Sequence, residues 1–190
     1  AGTRLLLETS AIGMSFTASY ADGVVLASLT TDADGRELWI SDGTVAGTRL
    51  FADLDPSRPT GDSQPTALGE VAGRAIVSLI EGSSRQLIGT DGSLRNTGVL
   101  RSLTATSTWT EVARIDDALL LFETSNGSRL LRTDGTPAGT FEIASVGRSN
   151  SQPGGARHGI ELDGGRAVFA GSVDGVVGQL WVTDGTAAGT

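Results

Sequence analysis

The chain has 190 residues, a formal net charge of −8 and no cysteine, and its 14 basic residues are all arginines scattered along the sequence. The absence of cysteine excludes disulfides and thiol chemistry. The negative charge and the scattered arginines argue against nucleic acid as a partner, because a phosphate backbone binds a basic stripe. No apolar run approaches the ~20 residues of a membrane-spanning helix, so membrane insertion is not predicted. The length is typical of one domain, and no signal peptide is visible in this chain.

Short β-rich runs bounded by glycine, aspartate and serine predict strands and hairpins, and no segment keeps a helical period. The first run is Thr3–Glu8, and turns at Ala21–Gly23, Asp116-Asp117 and Gly164-Gly165 mark equivalent hairpins later in the chain. The stretch around residues 48–90 is the clearest, with turns at Ala72-Gly73 and Glu81–Ser84. Its four predicted strands are Thr48–Leu54, Thr66–Val71, Arg74–Ile80 and Arg85–Thr90.

A twelve-residue motif recurs four times. Glu37–Thr44 continues to Gly47-Thr48, and Gln179–Thr186 continues to Gly189-Thr190, while two degenerate copies lie between them. The aspartates of the four copies are spaced by 49, 43 and 50 residues, a period that is typical of four-stranded propeller blades. The turn residues of the motif are Asp42, Gly43, Thr44, Asp91, Gly92, Ser93, Asp134, Gly135, Thr136, Asp184, Gly185 and Thr186.

These residues resemble the ELWxxDGTxxGT repeat of large bacterial exported or cell-surface proteins. The resemblance covers the whole chain; the second copy departs from it at Ile88, Ser93 and Arg95-Asn96, and the third at Leu131. The stretch Asp62–Pro65 is similar to the serine-rich, proline-containing loop of that family. The resemblance implies a β-propeller-like fold outside the cytoplasm and carries no known catalytic activity.

The motif has a local physical explanation. The aspartate accepts hydrogen bonds from the backbone N–H groups two and three residues on, glycine supplies a positive φ, and threonine closes the turn with its hydroxyl. The position three residues before the aspartate is interpreted as a packing site that seals one sheet against the next. It holds Trp39, Ile88, Leu131 and Trp181. A ring of four aspartates that binds metal or sugar is the functional alternative.

The predicted fold is all-β: a propeller of four blades, each with four antiparallel strands, in a single domain over 1–190. The repeats run over about 1–45, 46–94, 95–137 and 138–187. Because the start of the chain matches Ala46–Leu50, we expect the strand Thr3–Glu8 to pair with the sheet of Trp181 and complete the last blade. Two chains could instead form one eight-bladed ring, and the sequence leaves both arrangements open.

Two candidate sites are predicted outside the motif. Trp109, flanked by polar residues, is expected to be partly exposed and to form a ligand pocket with Arg157 and His158, or else to pack over its blade. Asp32 and Asp34 resemble a truncated calcium loop, although an ordinary hairpin turn fits the same residues. No catalytic residue is identified and no cofactor is predicted, since the Gly-Gly pairs lack the following helix that a nucleotide loop needs.

These observations predict a non-enzymatic propeller module that binds protein or carbohydrate in a bacterial secreted or surface protein. One alternative is a structural subunit that oligomerises by strand exchange, as a homodimer through blade completion. The other is a hydrolase with a site in the central channel. The chain has a single histidine, and a catalytic histidine would need a nucleophile and an orienting carboxylate beside it.

Overall fold

The computed structural model of the chain describes residues 3–8, 13–19, 23–52, 62–125, 127–148, 159–173 and 176–190. Within them the protein is built from sixteen β-strands and one 3₁₀ turn, Leu94–Asn96, with no α-helix. The strands form four antiparallel sheets, which confirms the all-β prediction. The chain divides into two compact units, Ala1–Ala105 and Thr106–Thr190, and each unit contains two sheets.

The first unit contains two four-stranded sheets whose strands follow one another in chain order. Sheet 1 consists of β1 Gly13–Ser19, β2 Val25–Thr31, β3 Gly35–Ser41 and β4 Arg49–Leu50. Sheet 2 consists of β5 Thr66–Val71, β6 Arg74–Glu81, β7 Ser84–Thr90 and β8 Gly98–Thr104. In both sheets the strand that follows the Asp-Gly turn pairs with the strand that precedes it.

The second unit repeats this order in its first sheet only. Sheet 3 consists of β9 Thr108–Ile115, β10 Ala118–Ser125, β11 Gly127–Thr133 and β12 Phe141–Ala144. Sheet 4 consists of β13 Gly147–Arg148, β14 Gly159–Leu162, β15 Arg166–Val173 and β16 Val176–Thr183. Strands β13 and β14 pair with the same edge of β15, and β16 pairs with the other edge, so sheet 4 is three strands wide.

The strands of the second repeat lie close to their predicted positions. Strand β5 has the predicted bounds, β6 extends one residue further, and β7 begins one residue earlier. The turn at Ala72-Gly73 has φ of 49° and 71°, the pair of positive angles that joins twisted antiparallel strands with two residues. Of the predicted strand Thr48–Leu54, only Arg49–Leu50 is a strand, and residues 53–54 lie outside the described part of the chain.

The segment Thr3–Glu8 differs from its prediction. It forms no strand, and Arg4 Nη2 donates a hydrogen bond of 3.0 Å to the carbonyl of Gly43. Leu6 and Leu7 line an apolar cavity over sheet 1. Leu6 and Leu7 are thereby partly buried through side-chain packing, without strand pairing.

Each sheet has two faces, because successive side chains of a strand point to opposite sides. We call the face that carries the Trp39-equivalent side chain the motif face, and the other the reverse face. On sheet 1 the motif face holds Val25, Ala27, Leu29 and Trp39, and the reverse face holds Leu26, Leu38 and Ile40.

The core of each unit forms where two sheets meet through unlike faces. In the first unit, the motif face of sheet 2 packs on the reverse face of sheet 1. In the second unit, the motif face of sheet 4 packs on the reverse face of sheet 3, where the rings of Phe122 and Phe169 meet edge to face at 5.7 Å and 72°. The first core joins Leu26, Leu38 and Ile40 to Ala75, Val77, Leu79 and Ile88; the second joins Leu120, Phe122 and Leu130 to Ala167, Phe169 and Trp181.

Candidate functional site

The turn around Asp42 is closed by two short chains of hydrogen bonds. In the first, the Gly47 N–H donates to Thr44 Oγ1 over 2.9 Å, and that hydroxyl donates to Asp42 Oδ1 over 2.7 Å. The Thr44 N–H donates to the same oxygen over 2.8 Å. Gly43 has a φ of 79°, the left-handed conformation that favours glycine. The N–H two residues on, the positive φ of the glycine and the threonine hydroxyl thus take the places predicted for them, and the threonine hydroxyl is a second donor to the aspartate.

The second chain uses a residue that sequence reasoning missed. The Gly43 N–H donates to Ser41 Oγ over 3.2 Å, and Ser41 Oγ lies 2.7 Å from Thr48 Oγ1. Because the Thr48 hydroxyl donates its only proton to the Thr44 carbonyl over 2.7 Å, the Ser41 hydroxyl is the donor to Thr48. The signal was present in the sequence, since every copy has serine or threonine before the aspartate.

The other three copies repeat both chains. The hydroxyl pairs that correspond to Ser41 and Thr48 lie 2.6–2.7 Å apart. The aspartate again accepts from the N–H and the hydroxyl two residues on, at distances of 2.6–2.9 Å. The hydroxyl pairs are Thr90–Thr97, Thr133–Thr140 and Thr183–Thr190.

Three of the four copies have a second glycine, at a position that leaves no room for a side chain. A Cβ built on Gly47, Gly139 or Gly189 would overlap the carboxylate of the aspartate in its own turn. The second copy has Asn96 at this place, and its side-chain amide donates a hydrogen bond of 2.6 Å to Asp91 Oδ2. The departure from the repeat pattern therefore replaces close packing by a hydrogen bond to the same carboxylate.

These hydrogen bonds lower the pKa of the four motif aspartates. For Asp42 and Asp184 the main cause is the hydroxyl of the threonine two residues on, and for Asp91 it is the Asn96 amide. Burial raises the pKa of Asp134, but the hydrogen bonds from Thr136 outweigh it. A carboxylate held ionised in this way is a poor proton donor, and its oxygens serve the turn.

The four packing positions of the motif lie at the sheet faces. Ile88 and Leu131 are buried, and Ile88 and Trp181 belong to the two cores. Trp39 lies over a cavity of about 310 Å³, which is lined by Leu6, Leu7 and the side chains of β2. The indole nitrogens of Trp39 and Trp181 are buried and have no hydrogen-bond partner among the described residues.

The expectation of a partly exposed Trp109 is wrong. Its side chain is 6% exposed, and its indole nitrogen is buried without a hydrogen-bond partner. The reason is strand alternation: Thr108 and Thr110 point to the side of β9 opposite to Trp109, so polar neighbours indicate an inward tryptophan. Arg157 and His158 lie outside the described residues, so a ligand site at these two residues stays a prediction. The buried ring of Trp109 cannot serve as its stacking surface.

The aspartates of the calcium candidate lie in a hairpin turn between β2 and β3. The Asp34 N–H donates to Thr31 Oγ1, and that hydroxyl donates to Asp34 Oδ2, both over 3.0 Å. Asp32 is exposed in the same turn. Among the residues that the structure describes, no group of three or more histidine, cysteine, aspartate or glutamate side chains could hold a metal ion.

Ser63 joins the two sheets of the first unit. Its hydroxyl donates to Glu37 Oε2 over 2.7 Å, and its N–H lies 3.2 Å from Glu37 Oε1 and 3.1 Å from the Arg36 carbonyl. Its own carbonyl accepts from the Ile80 N–H over 2.6 Å. Ser63 and Glu37 are both buried, so the loop Asp62–Pro65 supplies a polar bridge between sheet 1 and sheet 2.

The second unit has one bridge of a related kind, in which the Arg114 N–H of sheet 3 donates to Glu161 Oε1 of sheet 4 over 3.0 Å. Across the described part of the chain, no helix is long and apolar enough to cross a membrane.

Comparisons with known protein families, with curated proteins and with solved structures found no match.

Proposed function

We propose that the chain is a non-enzymatic β-propeller module that binds protein, in a bacterial secreted or surface protein. The four sheets would be its blades. Two features support this reading: the four-fold repeat of the turn, and the packing of unlike faces within each unit, which stacks one sheet on the next. The likeness to exported repeat proteins supports the location.

The observation that carries the proposal is an apolar surface on the reverse face of sheet 4. Four large aliphatic side chains lie there, and they share a face because Ile160 pairs with Val168 and Val168 with Val182. A cluster of exposed apolar side chains on one sheet face is typical of a protein-interaction site. The apolar surface consists of Ile160 at 72% exposure, Leu162 at 41%, Leu180 at 79% and Val182 at 48%.

The motif aspartates support a structural role over a catalytic one. Each carboxylate accepts hydrogen bonds from its own turn, and the lowered pKa keeps it ionised, so a general acid for hydrolysis is not among them. Carbohydrate binding has less support than protein binding, because Trp109 offers no exposed ring for stacking on a sugar.

Strand exchange into a larger assembly is a second candidate function, and the edge of sheet 4 favours it. Strands β3, β7 and β11 each pair with a following strand, whereas β16 pairs with β15 alone in the described residues. An unpaired edge with apolar side chains is a template for another strand. The segment Thr3–Leu5 repeats the sequence Thr48–Leu50, whose last two residues form β4.

Site-directed photo-crosslinking tests the proposed function. Leu180→p-benzoylphenylalanine places the probe in the apolar surface, and Leu94→p-benzoylphenylalanine is the control, since Leu94 is also an exposed leucine. The protein is irradiated in bacterial cell-surface extract, and the adducts are identified by mass spectrometry. Defined protein adducts at position 180 in excess of position 94 support the module, and equal labelling at the two positions contradicts it.

A further inference from the structure

The two cores of the protein use one rule of packing. In each unit a motif face meets the reverse face of the sheet before it, and the contact is made by aliphatic and aromatic side chains. Trp181 takes part in this contact on sheet 4, and Ile88 takes the equivalent place on sheet 2. A motif face and a reverse face are therefore complementary surfaces of this chain.

Two further faces have the same composition and lack such a core. The reverse face of sheet 4 is the apolar surface described above, with Leu180 79% exposed. The motif face of sheet 1 carries Trp39 and Val25 beneath a cavity of about 310 Å³, covered in part by Leu6 and Leu7. A cavity of this size beside a buried, unpaired indole nitrogen indicates loose packing by the segment Thr3–Glu8.

We propose that the reverse face of sheet 4 binds the motif face of sheet 1 of a second copy of this chain. The proposal deepens the proposed function, on which it rests, by naming the partner of the apolar surface. The contact would repeat the face pairing of both cores, with Leu180 and Val182 taking the places of Leu38 and Ile40. Because the two faces differ, each contact is heterologous, and the proposed assembly is a dimer with two such contacts.

The same contact would also change the position of the segment Thr3–Glu8. Docking of sheet 4 would displace Leu6 and Leu7 from the motif face of sheet 1 and fill the cavity with the aliphatic side chains of the apolar surface. The displaced segment then lies at the partner's β16, whose outer edge has no paired strand in the described residues. Its resemblance to the sequence of β4 fits it for that edge, where it would widen sheet 4 from three strands to four.

Multi-angle light scattering and sedimentation of the purified chain test the proposal. The wild type is expected to be a dimer at micromolar concentration. Leu180→Arg should weaken association at least about 100-fold, because it buries a charge in an apolar contact. Leu94→Arg, at a leucine that is 60% exposed and lies outside both faces, should leave the dimer unchanged. A monomeric wild type, or equal effects of the two substitutions, overturns the proposal.

A mixing experiment tests the pairing of unlike faces. Val25→Arg blocks the motif face of sheet 1, and Leu180→Arg blocks the reverse face of sheet 4, so each variant alone should be monomeric. Mixed together, they retain one intact contact and should form a 1:1 complex. Failure of two folded variants to form it overturns the heterologous interface; if circular dichroism shows Val25→Arg to be unfolded, the arginine variants at positions 180 and 94 decide alone.

The crosslinking experiment separates this proposal from the proposed function. Adducts between two copies of the chain at position 180 support both. Adducts with other proteins only, together with a monomeric chain, contradict the second-copy interface and leave the interaction module standing. Absence of specific adducts together with a monomeric chain contradicts both.

Discussion

Ser63→Ala removes the side chain that bridges the two sheets of the first unit. The hydroxyl of Ser63 is fully buried, and its hydrogen bond of 2.7 Å ends on the carboxylate of Glu37, which is 2% exposed. A side-chain hydrogen bond to a carboxylate contributes about 1.5–3 kcal/mol. In the variant the buried carboxylate loses the hydroxyl donor and keeps the hydrogen bond from the Ser63 N–H. We expect a loss of about 2 kcal/mol in the free energy of unfolding, or about 4–8 °C in Tm for a chain of this length.

Urea unfolding followed by circular dichroism measures the loss, and Ser145→Ala is the matched control. Ser145 donates a hydrogen bond of 3.0 Å to Glu142 Oε1 at an exposed site, so its removal should change stability by less than about 0.5 kcal/mol. A double variant with Glu37→Ala should lose less than the sum of the two single changes, by about 1 kcal/mol. Equal losses for Ser63→Ala and Ser145→Ala would refute the role given to the bridge.

Three further predictions concern the turn and the core. Gly139→Ala should lower the free energy of unfolding by about 1–3 kcal/mol, because the new methyl group meets the Asp134 carboxylate. Asn96→Gly removes one hydrogen bond and should lower it by less than about 1.5 kcal/mol. Thermal unfolding that ranks the two variants in the reverse order contradicts the steric argument. Folding lowers the pKa of Asp42, so the ionised carboxylate stabilises the fold above its ordinary pKa of about 4, and this stabilisation is lost as pH falls through the folded pKa. Asp42→Asn should therefore flatten the decline of Tm between about pH 5 and pH 2.5. An unchanged decline would contradict a stabilising role of the Asp42 carboxylate. Phe122→Ala should cost about 3–5 kcal/mol by urea unfolding, and a similar cost for the 43% exposed Phe141 would show that the edge-to-face core is not the cause.

Strands beside tight turns were predictable from the sequence. Around Ala72-Gly73, short apolar runs meet a two-residue turn, and this local pattern gives the bounds of the two strands within one residue. The Asp-Gly-Thr turn was predictable for the same reason, because its donors and acceptors all come from within a few residues of Asp42.

Features that depend on distant partners were not predictable. Ser63 and Glu37 are 26 residues apart, and nothing in either local sequence indicates that the two side chains meet. The segment Thr3–Glu8 has the sequence of a strand, but a strand forms only where an unpaired edge is beside it. Trp109 was misjudged because its polar neighbours along the chain were taken as its surroundings, although they point to the other side of β9.

The two chains of hydrogen bonds that close each turn are local, since they span at most seven residues. A gene segment that encodes one repeat can therefore be duplicated or deleted without redesign of any turn. What must change with the number of repeats is the pair of faces at the two ends of the series. Gene duplication would thus supply new repeats readily, and selection would act mainly on the surfaces where the series begins and ends.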